Sequence, residues 1–287
     1  MTQSGTSLWQ DAWKRLSKNK PAMVSLGFIV FIILVAVLAD VLSPYSYETQ
    51  NTVERLMTPN SKYWMGSDQL GRDLLSRVIY GSRISIAVGM IVAICALISG
   101  GIYGAVSGYV GGKIDNAMMR IVDVMYTFPS LLLVILLTVL FGRGLFGICV
   151  ALTIVSWVSI SRLVRGQVLQ LKEMQFVEAA HAIGVRNWAI IFKHILPNIL
   201  GPIIIILTFE IPSAILTESF LSFIGLGIRP PLSSWGSLAN DGFQAFKSYP
   251  HLIVFPGLAI FFTVLAFNLL GDGLRDALDP KLKNVSP

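Results

Sequence analysis

Six stretches of the chain stay apolar for about the ~20 residues that cross ~30 Å of hydrocarbon: 22–42, 84–110, 114–141, 145–164, 198–227 and 251–271. They are too long and too uniformly apolar for barrel strands. Backbone groups in lipid must be satisfied within their own segment, so each run reads as a helix. Several exceed the minimum length, which predicts tilted or kinked spans. The expected fold class is an all-α membrane protein of about six transmembrane helices. Ahead of the first run, Trp9, Ala12, Trp13 and Leu16 recur at i, i+3, i+4 and i+7, the pattern of a short helix lying among headgroups. The run that follows is longer than the ~7–15 apolar residues of a signal peptide and no A-x-A site closes it, so it reads as a retained anchor.

Residues that interrupt the runs refine this picture. Gly100, Gly104, Gly108 and Gly112 recur every four residues and predict a smooth ridge on which another helix backbone can lie. Pro129 removes one intrahelical donor and is expected to kink or restart the third span. The fifth run holds Pro202 and Pro212 together with two carboxylates, Glu210 and Glu218. A charge at mid-bilayer costs roughly 2.5–3.5 kcal/mol even on the lenient insertion scale, so both should face protein or water. Eight residues at ~100° each leave them on broadly one side of an ideal helix. Two readings stay open for each: lining of a translocation path, or an internal bond pinning one helix to another, for example through Arg83 or Lys113.

Composition agrees with the pattern. Hydrophobic residues make up 54% and charged residues 13%, about half the charged share of a soluble domain. With the N-terminus inside, Lys and Arg divide fourteen inside to eight outside, which favours both termini in the cytoplasm. The net charge of +6 is thus a topology signal and does not call for a nucleic-acid partner. Cys95 and Cys149 fall inside spans and read as core thiols. His181, His194 and His251 have no ligand spacing on one helix, so no metal site is expected. Gly112-Lys113 is followed by Ile114 without Ser or Thr and no strand precedes it, so there is no phosphate loop and no cofactor-binding residue. No nucleophile and base are paired, so no catalytic residue is expected and the chain is read as non-catalytic.

Two polar segments carry the candidate chemistry. Between the fourth and fifth spans stand Glu178-Ala179-Ala180 and Gly184, then His194-Ile195-Leu196-Pro197-Asn198. Such a segment predicts a short helix across the membrane face, with Glu178 near its N-terminus, no bulk at Ala179 and Ala180, a sharp exit at Gly184, and Pro197 opening the next span. Facing the other side, Asp68, Arg72 and Asp73 are placed to form a local ion-pair or capping network.

Five blocks in order carry a family resemblance: Gly66-Ser67-Asp68-Gln69-Leu70-Gly71-Arg72-Asp73-Leu74-Leu75-Ser76-Arg77; Arg120-Ile121-Val122-Asp123; the Glu178 loop; Leu221-Ser222-Phe223-Ile224-Gly225-Leu226-Gly227 with Pro230-Pro231 and Ser234-Trp235-Gly236; and Gly271 through Pro280. Over nearly its whole length the chain resembles the C-type permeases of dipeptide, oligopeptide and nickel ABC importers. It departs in having Tyr63 where the family often has His, and Ser67 where it often has Thr.

The resemblance implies a type I importer permease fold in a bacterial inner membrane. It divides the chain into an N-terminal interfacial helix (1–21), a first span with an outward segment (22–83), a permease core (84–272) with its coupling loop at 166–197, and a cytoplasmic tail (273–287). It implies a B-type permease, two ATPases that bind the ATP and Mg, an external solute-binding protein, and peptide cargo, with nickel, glutathione or another small solute as alternatives. Glu178, Ala179, Ala180, Gly184, His194, Pro197 and Asn198 would form the ATPase-coupling element. A carrier driven by an ion gradient, using Glu210 and Glu218, is the alternative of another class.

Overall fold

The computed structural model describes residues 8–278, and among these the regular elements are helices, with one isolated β-bridge between Ser67 and Asp73. The Asp279-Pro280 end of the last family block and Lys281 and Lys283 lie outside the described residues. A short helix, α1 (Leu8–Leu16), forms where the periodicity predicts one; of the four residues on the expected stripe it buries Ala12 and Leu16 and leaves Trp9 and Trp13 exposed. The first span is α2 (Lys20–Val37), started by the Asn19 side chain, which accepts from the Ala22 N–H at 3.2 Å, and extended by the single turn α3 (Ala39–Leu42).

The second span, α4 (Leu74–Val110), begins ten residues before the apolar run at 84, capped by Asp73, which accepts from Ser76 N–H at 2.8 Å. Composition hid this extension because Ser76, Arg77 and Ser82 are polar yet buried. The third run is broken into α5 (Gly112–Thr127) and α6 (Ser130–Phe141), bent by 90°. Pro129 forces the preceding Phe128 into extended conformation (ψ 135°), which ends one helix and starts another. Then come α7 (Leu145–Leu171), α8 (Gln175–Ala182), the turn α9 (Asn187–Ala189), a π-helical stretch at Ile190–Ile195, and the turn α10 (Leu196–Asn198). The long helices α11 (Leu200–Phe223) and α13 (His251–Leu278) flank α12 (Trp235–Phe243), a helix the loop at 228–250 did not advertise. Among the described residues, five helices are long and apolar enough to cross a membrane, six spans if the bent pair counts as one.

Glycine contacts fix how these helices run. A Cβ on Gly100 would lie 2.4 Å from Trp157 O, one on Gly104 2.2 Å from Ser161 O, and one on Gly108 2.9 Å from Arg165 O. Only glycine admits so close an approach. The matched advance along both chains makes α4 and α7 parallel. The chain must therefore return across the bundle between them, and α5 with α6 makes that crossing. Gly112 departs from the expected ridge: the helix stops at Val110, Gly111 and Gly112 take φ of 70° and 59°, and Gly112 serves the turn.

The same reasoning places the rest. Gly89 meets Ile211 and Ile215, Gly271 meets Thr208 and Phe209, and Gly273 meets Ala22, so α11 opposes α4 while α13 opposes α11 and α2. Both described ends of the chain thus lie at one end of the bundle, where α1 packs on Leu274 and Ala277 of α13. Segment 43–73 and α12 lie at the other.

Candidate coupling site and the polar groups of the bundle

Helix α8 stands at the α1 end of the bundle, anchored by two apolar side chains. Val177 and Ala180 are buried among Ile160, Val164, Ile190 and Ile195, while Glu178, Ala179 and His181 face out. Gly184 closes the helix with φ 77°: its N–H donates to His181 O at 3.0 Å and the Val185 N–H to Ala180 O at 3.1 Å, the paired bonds that satisfy the last carbonyls of a helix. Downstream, Pro197 has no N–H to give, and the preceding residues widen into the π-helical stretch. The Asn198 side-chain amide donates to His194 O at 2.6 Å. Pro197 and Asn198 are exposed and His194 is half-buried.

Polar contacts tie this loop to α4. Tyr109 Oη lies 3.1 Å from His181 Nε2, with the rings stacked, and donates to Asn187 Oδ1 at 3.0 Å. Lys172 Nζ donates to Gly108 O at 3.3 Å. Nearby, Arg165 of α7 grips Asp115 of α5 with two bonds of 2.6 Å, and Ser107 of α4 donates to the same carboxylate at 2.5 Å. Tyr109 gave no sign of this in the sequence. Asp115 and Arg165 stand in the sequence as opposite charges bordering apolar runs, but fifty residues apart, and their pairing was not read from it.

At the far end, Asp68 is buried and accepts four hydrogen bonds: from the Leu70 and Arg72 N–H groups at 2.8 and 2.9 Å, and from Arg72 Nε and Arg77 Nη1 at 2.7 Å each. Asp73 caps α4 and stays out of the pair. Arg77 also reaches Asp241 at 3.3 Å, and Gln69 Nε2 donates to Asp241 O at 3.2 Å, so segment 43–73 is joined to α12. Residues 164 apart made this part of the cluster unreadable from sequence. Further out, Glu54 accepts from Lys62 Nζ and Tyr63 Oη, and the Lys62 bond, then the Tyr63 bond, holds its carboxyl below the usual carboxylate range.

The two intramembrane carboxylates differ. Glu218 is fully buried; its Oε1 accepts from Ser222 Oγ at 2.6 Å, and Ser222 Oγ in turn accepts from Ser234 Oγ at 3.3 Å. Glu210, two turns away, is half-buried. Neither pairs with Arg83, whose guanidinium bonds Asp40 at 3.0 Å and the Ala36 and Val37 carbonyls, nor with Lys113, which is exposed.

Residues 98–284 match the model of the binding-protein-dependent transport system inner membrane component, and residues 7–59 that of the N-terminal transmembrane domain of oligopeptide transport permease C. The chain belongs to this permease family. An oligopeptide transport system permease protein of Bacillus subtilis is 47% identical, covering 99% of this chain and 93% of its own. A dipeptide transport system permease protein of the same species is 50% identical (96% and 87%), and a glutathione transport system permease protein of Pectobacterium atrosepticum 42% (96% and 92%).

A chain of the inward-facing MetNI methionine ABC transporter superposes with a TM-score of 0.58 at 19% identity, covering 72% of this permease and 98% of that chain, a likeness of fold. The permease thus has the type I importer fold expected of it, and it is a non-catalytic, multi-pass membrane subunit. Family membership sets aside the ion-gradient carrier.

Proposed function

We propose that this chain is the C-type subunit of an ABC importer of dipeptides or oligopeptides in a bacterial inner membrane, with both termini cytoplasmic. It pairs with a B-type permease to form the translocation path, with two ATPases that bind ATP and Mg, and with an external solute-binding protein. The observation that carries the reading is α8: an exposed Glu178–Ala179 face on a buried Val177–Ala180 anchor, at the end of the bundle where α1 and the end of α13 meet. Peptide cargo is supported by the 47–50% identity to oligopeptide and dipeptide permeases; the glutathione permease at 42% supports a second cargo reading.

In this reading an ATPase groove grips α8 through Glu178, with Ala179 and Ala180 allowing close approach and Gly184 ending the peg. Movement of α8 passes through Tyr109 to α4 and, by the glycine seam, to α7. His194, Pro197 and Asn198 link the peg to α11. Glu218 pins α11 to α12 through Ser222 and Ser234, leaving Glu210 as the carboxylate available to the path. Asp68, Arg72 and Asp73 hold the outward segment that, with 228–250, meets the binding protein.

Glu178→Lys tests the peg. The variant should keep the wild-type melting temperature, because the side chain is exposed, while losing ATPase attachment or uncoupling hydrolysis from uptake. Coupled uptake at the wild-type rate would sink the assignment. Competition of labelled dipeptide uptake by glutathione decides between the two cargoes.

A further inference from the structure

The block Arg120-Ile121-Val122-Asp123 has no part in the coupling loop or in the cap around Asp68, and its two charged residues are exposed on α5. Asp123 accepts from Arg162 Nη2 of α7 at 2.5 Å, and the Arg162 guanidinium lies over the Tyr126 ring, 4.1 Å from its centroid. Both members of the pair are about half exposed. A guanidinium carries five N–H donors, so the bond to Asp123 leaves an edge of Arg162 for a second acceptor. Arg120 stands one turn before Asp123 on the same face and, among the described residues, forms no hydrogen bond or ion pair. Two guanidinia against one carboxylate leave this cluster with one positive charge.

A polar arc runs from the cluster into the middle of the bundle. At ~100° per residue, Ser156 and Arg162 lie about 60° to either side of Ser159 on α7, away from the side where Trp157 and Ser161 meet the glycines of α4. Ser159 and Arg162 are exposed and Ser156 is half-buried. Ser156 offers a hydrogen bond to Glu210 of α11, and Ser213 and Thr217 continue the Glu210 face at i+3 and i+7. Both α7 and α11 are long and apolar enough to cross a membrane, where charged side chains are costly against hydrocarbon. The arc is therefore turned to water or to protein.

We propose that this arc binds the two ends of a peptide in transit: Glu210 takes the ammonium group, and Arg162 with Arg120 takes the carboxylate. The charges are complementary to a zwitterion, one negative at Glu210 and one positive at the cluster. The spacing agrees. Six residues of helix separate Ser156, beside Glu210, from Arg162, an advance of about 9 Å, and chains of two to three residues span at most ~7–11 Å. Arg162 is the end nearer α8, so the peptide lies along α7 with its carboxylate leading toward the coupling loop. This site rests on the importer reading and adds to it the chemistry that the path recognises.

The test uses the assembled permease–ATPase complex in detergent without the binding protein, so that the path alone selects, and a dipeptide with a diazirine side chain as the probe, below saturation. Illumination should label this chain within 120–127, 156–162 and 210–217. Glu210→Gln, and separately Arg120→Gln together with Arg162→Gln, should each lower the labelling on the order of tenfold or more, as expected for a lost bond to a charged group. The losses should divide by probe: the N-acetylated dipeptide should be indifferent to Glu210→Gln, and the C-terminal amide indifferent to the double arginine variant. A purely structural role would depress all three probes alike and would overturn the proposal. So would labelling unchanged in both variants, or failure of an aqueous maleimide to reach Ser213→Cys in the complex, which would mark the face as a contact with the B-type permease. Coupled uptake by the wild-type preparation, measured after the binding protein and ATP are restored, separates the two readings: uptake without labelling of this face refutes the site and leaves the importer standing.

Discussion

The two ends of the bundle are held together by different physics. Around Asp68, oriented hydrogen bonds among the buried Asp68, Arg72 and Arg77 and the half-exposed Asp241 join segment 43–73, α4 and α12, and each member has a fixed place. At the other end, α8 and the π-helical stretch are fixed mainly by Val177, Ala180, Ile190, Ile191 and Ile195 pressed into one apolar cluster. Charge clusters fail as a unit when one member is lost. Apolar contacts carry little direction, so a loop held by them can shift and still stay attached. The arrangement gives a rigid cap at one end and a peg with some play at the other.

Removing a cation should break the cap most severely. Arg77→Ala strands Asp68 with one guanidinium fewer and should cost about 3–5 kcal/mol, read as a large fall in the melting temperature of the purified complex. A loss no greater than that of an exposed substitution would mean the cap is held elsewhere. The peg should respond less: Ile195→Ala empties a fully buried site but leaves a loop able to relax, so about 2–3 kcal/mol is expected, with faster amide exchange confined to 175–199.

Gly184→Ala sharpens the contrast further. A Cβ there meets nothing within 4 Å, so only the left-handed backbone is penalised, by about 1–2 kcal/mol, and ATPase attachment should weaken without a change in the bundle's melting.

The smallest effect concerns acid. The Glu54 carboxyl is held below its usual range by Lys62 and then Tyr63. Its contribution is therefore complete above the ordinary carboxylate pKa and is lost as pH falls through the lowered value. Fluorescence of the neighbouring exposed Trp64 should report an acid transition in the cap that Glu54→Gln abolishes, while the peg end is unaffected.

Local signals were read well from sequence and distant ones poorly. The spans, the Pro129 break, the Gly184 exit and the Gly100–Gly108 ridge each rest on a few neighbouring residues whose backbone chemistry has one outcome. Gly112 was misjudged because spacing cannot tell a ridge from the turn that ends it. The start of α4 was missed because hydropathy measures composition, and Arg77 is buried through partners outside its own segment. Asp241 and Ser234, the distant members of the Arg77 and Glu218 networks, depend on α12, whose nine residues carry too short an apolar signal to register.

The parallel seam also sets a schedule. Trp157 to Val168 complete the surface that Gly100 to Gly108 need, and they are made some sixty residues later. At roughly 5–20 residues per second of synthesis, α4 waits about 3–12 seconds with its bare backbone uncovered. During that interval the newborn chain is most open to a wrong helix taking the place of α7.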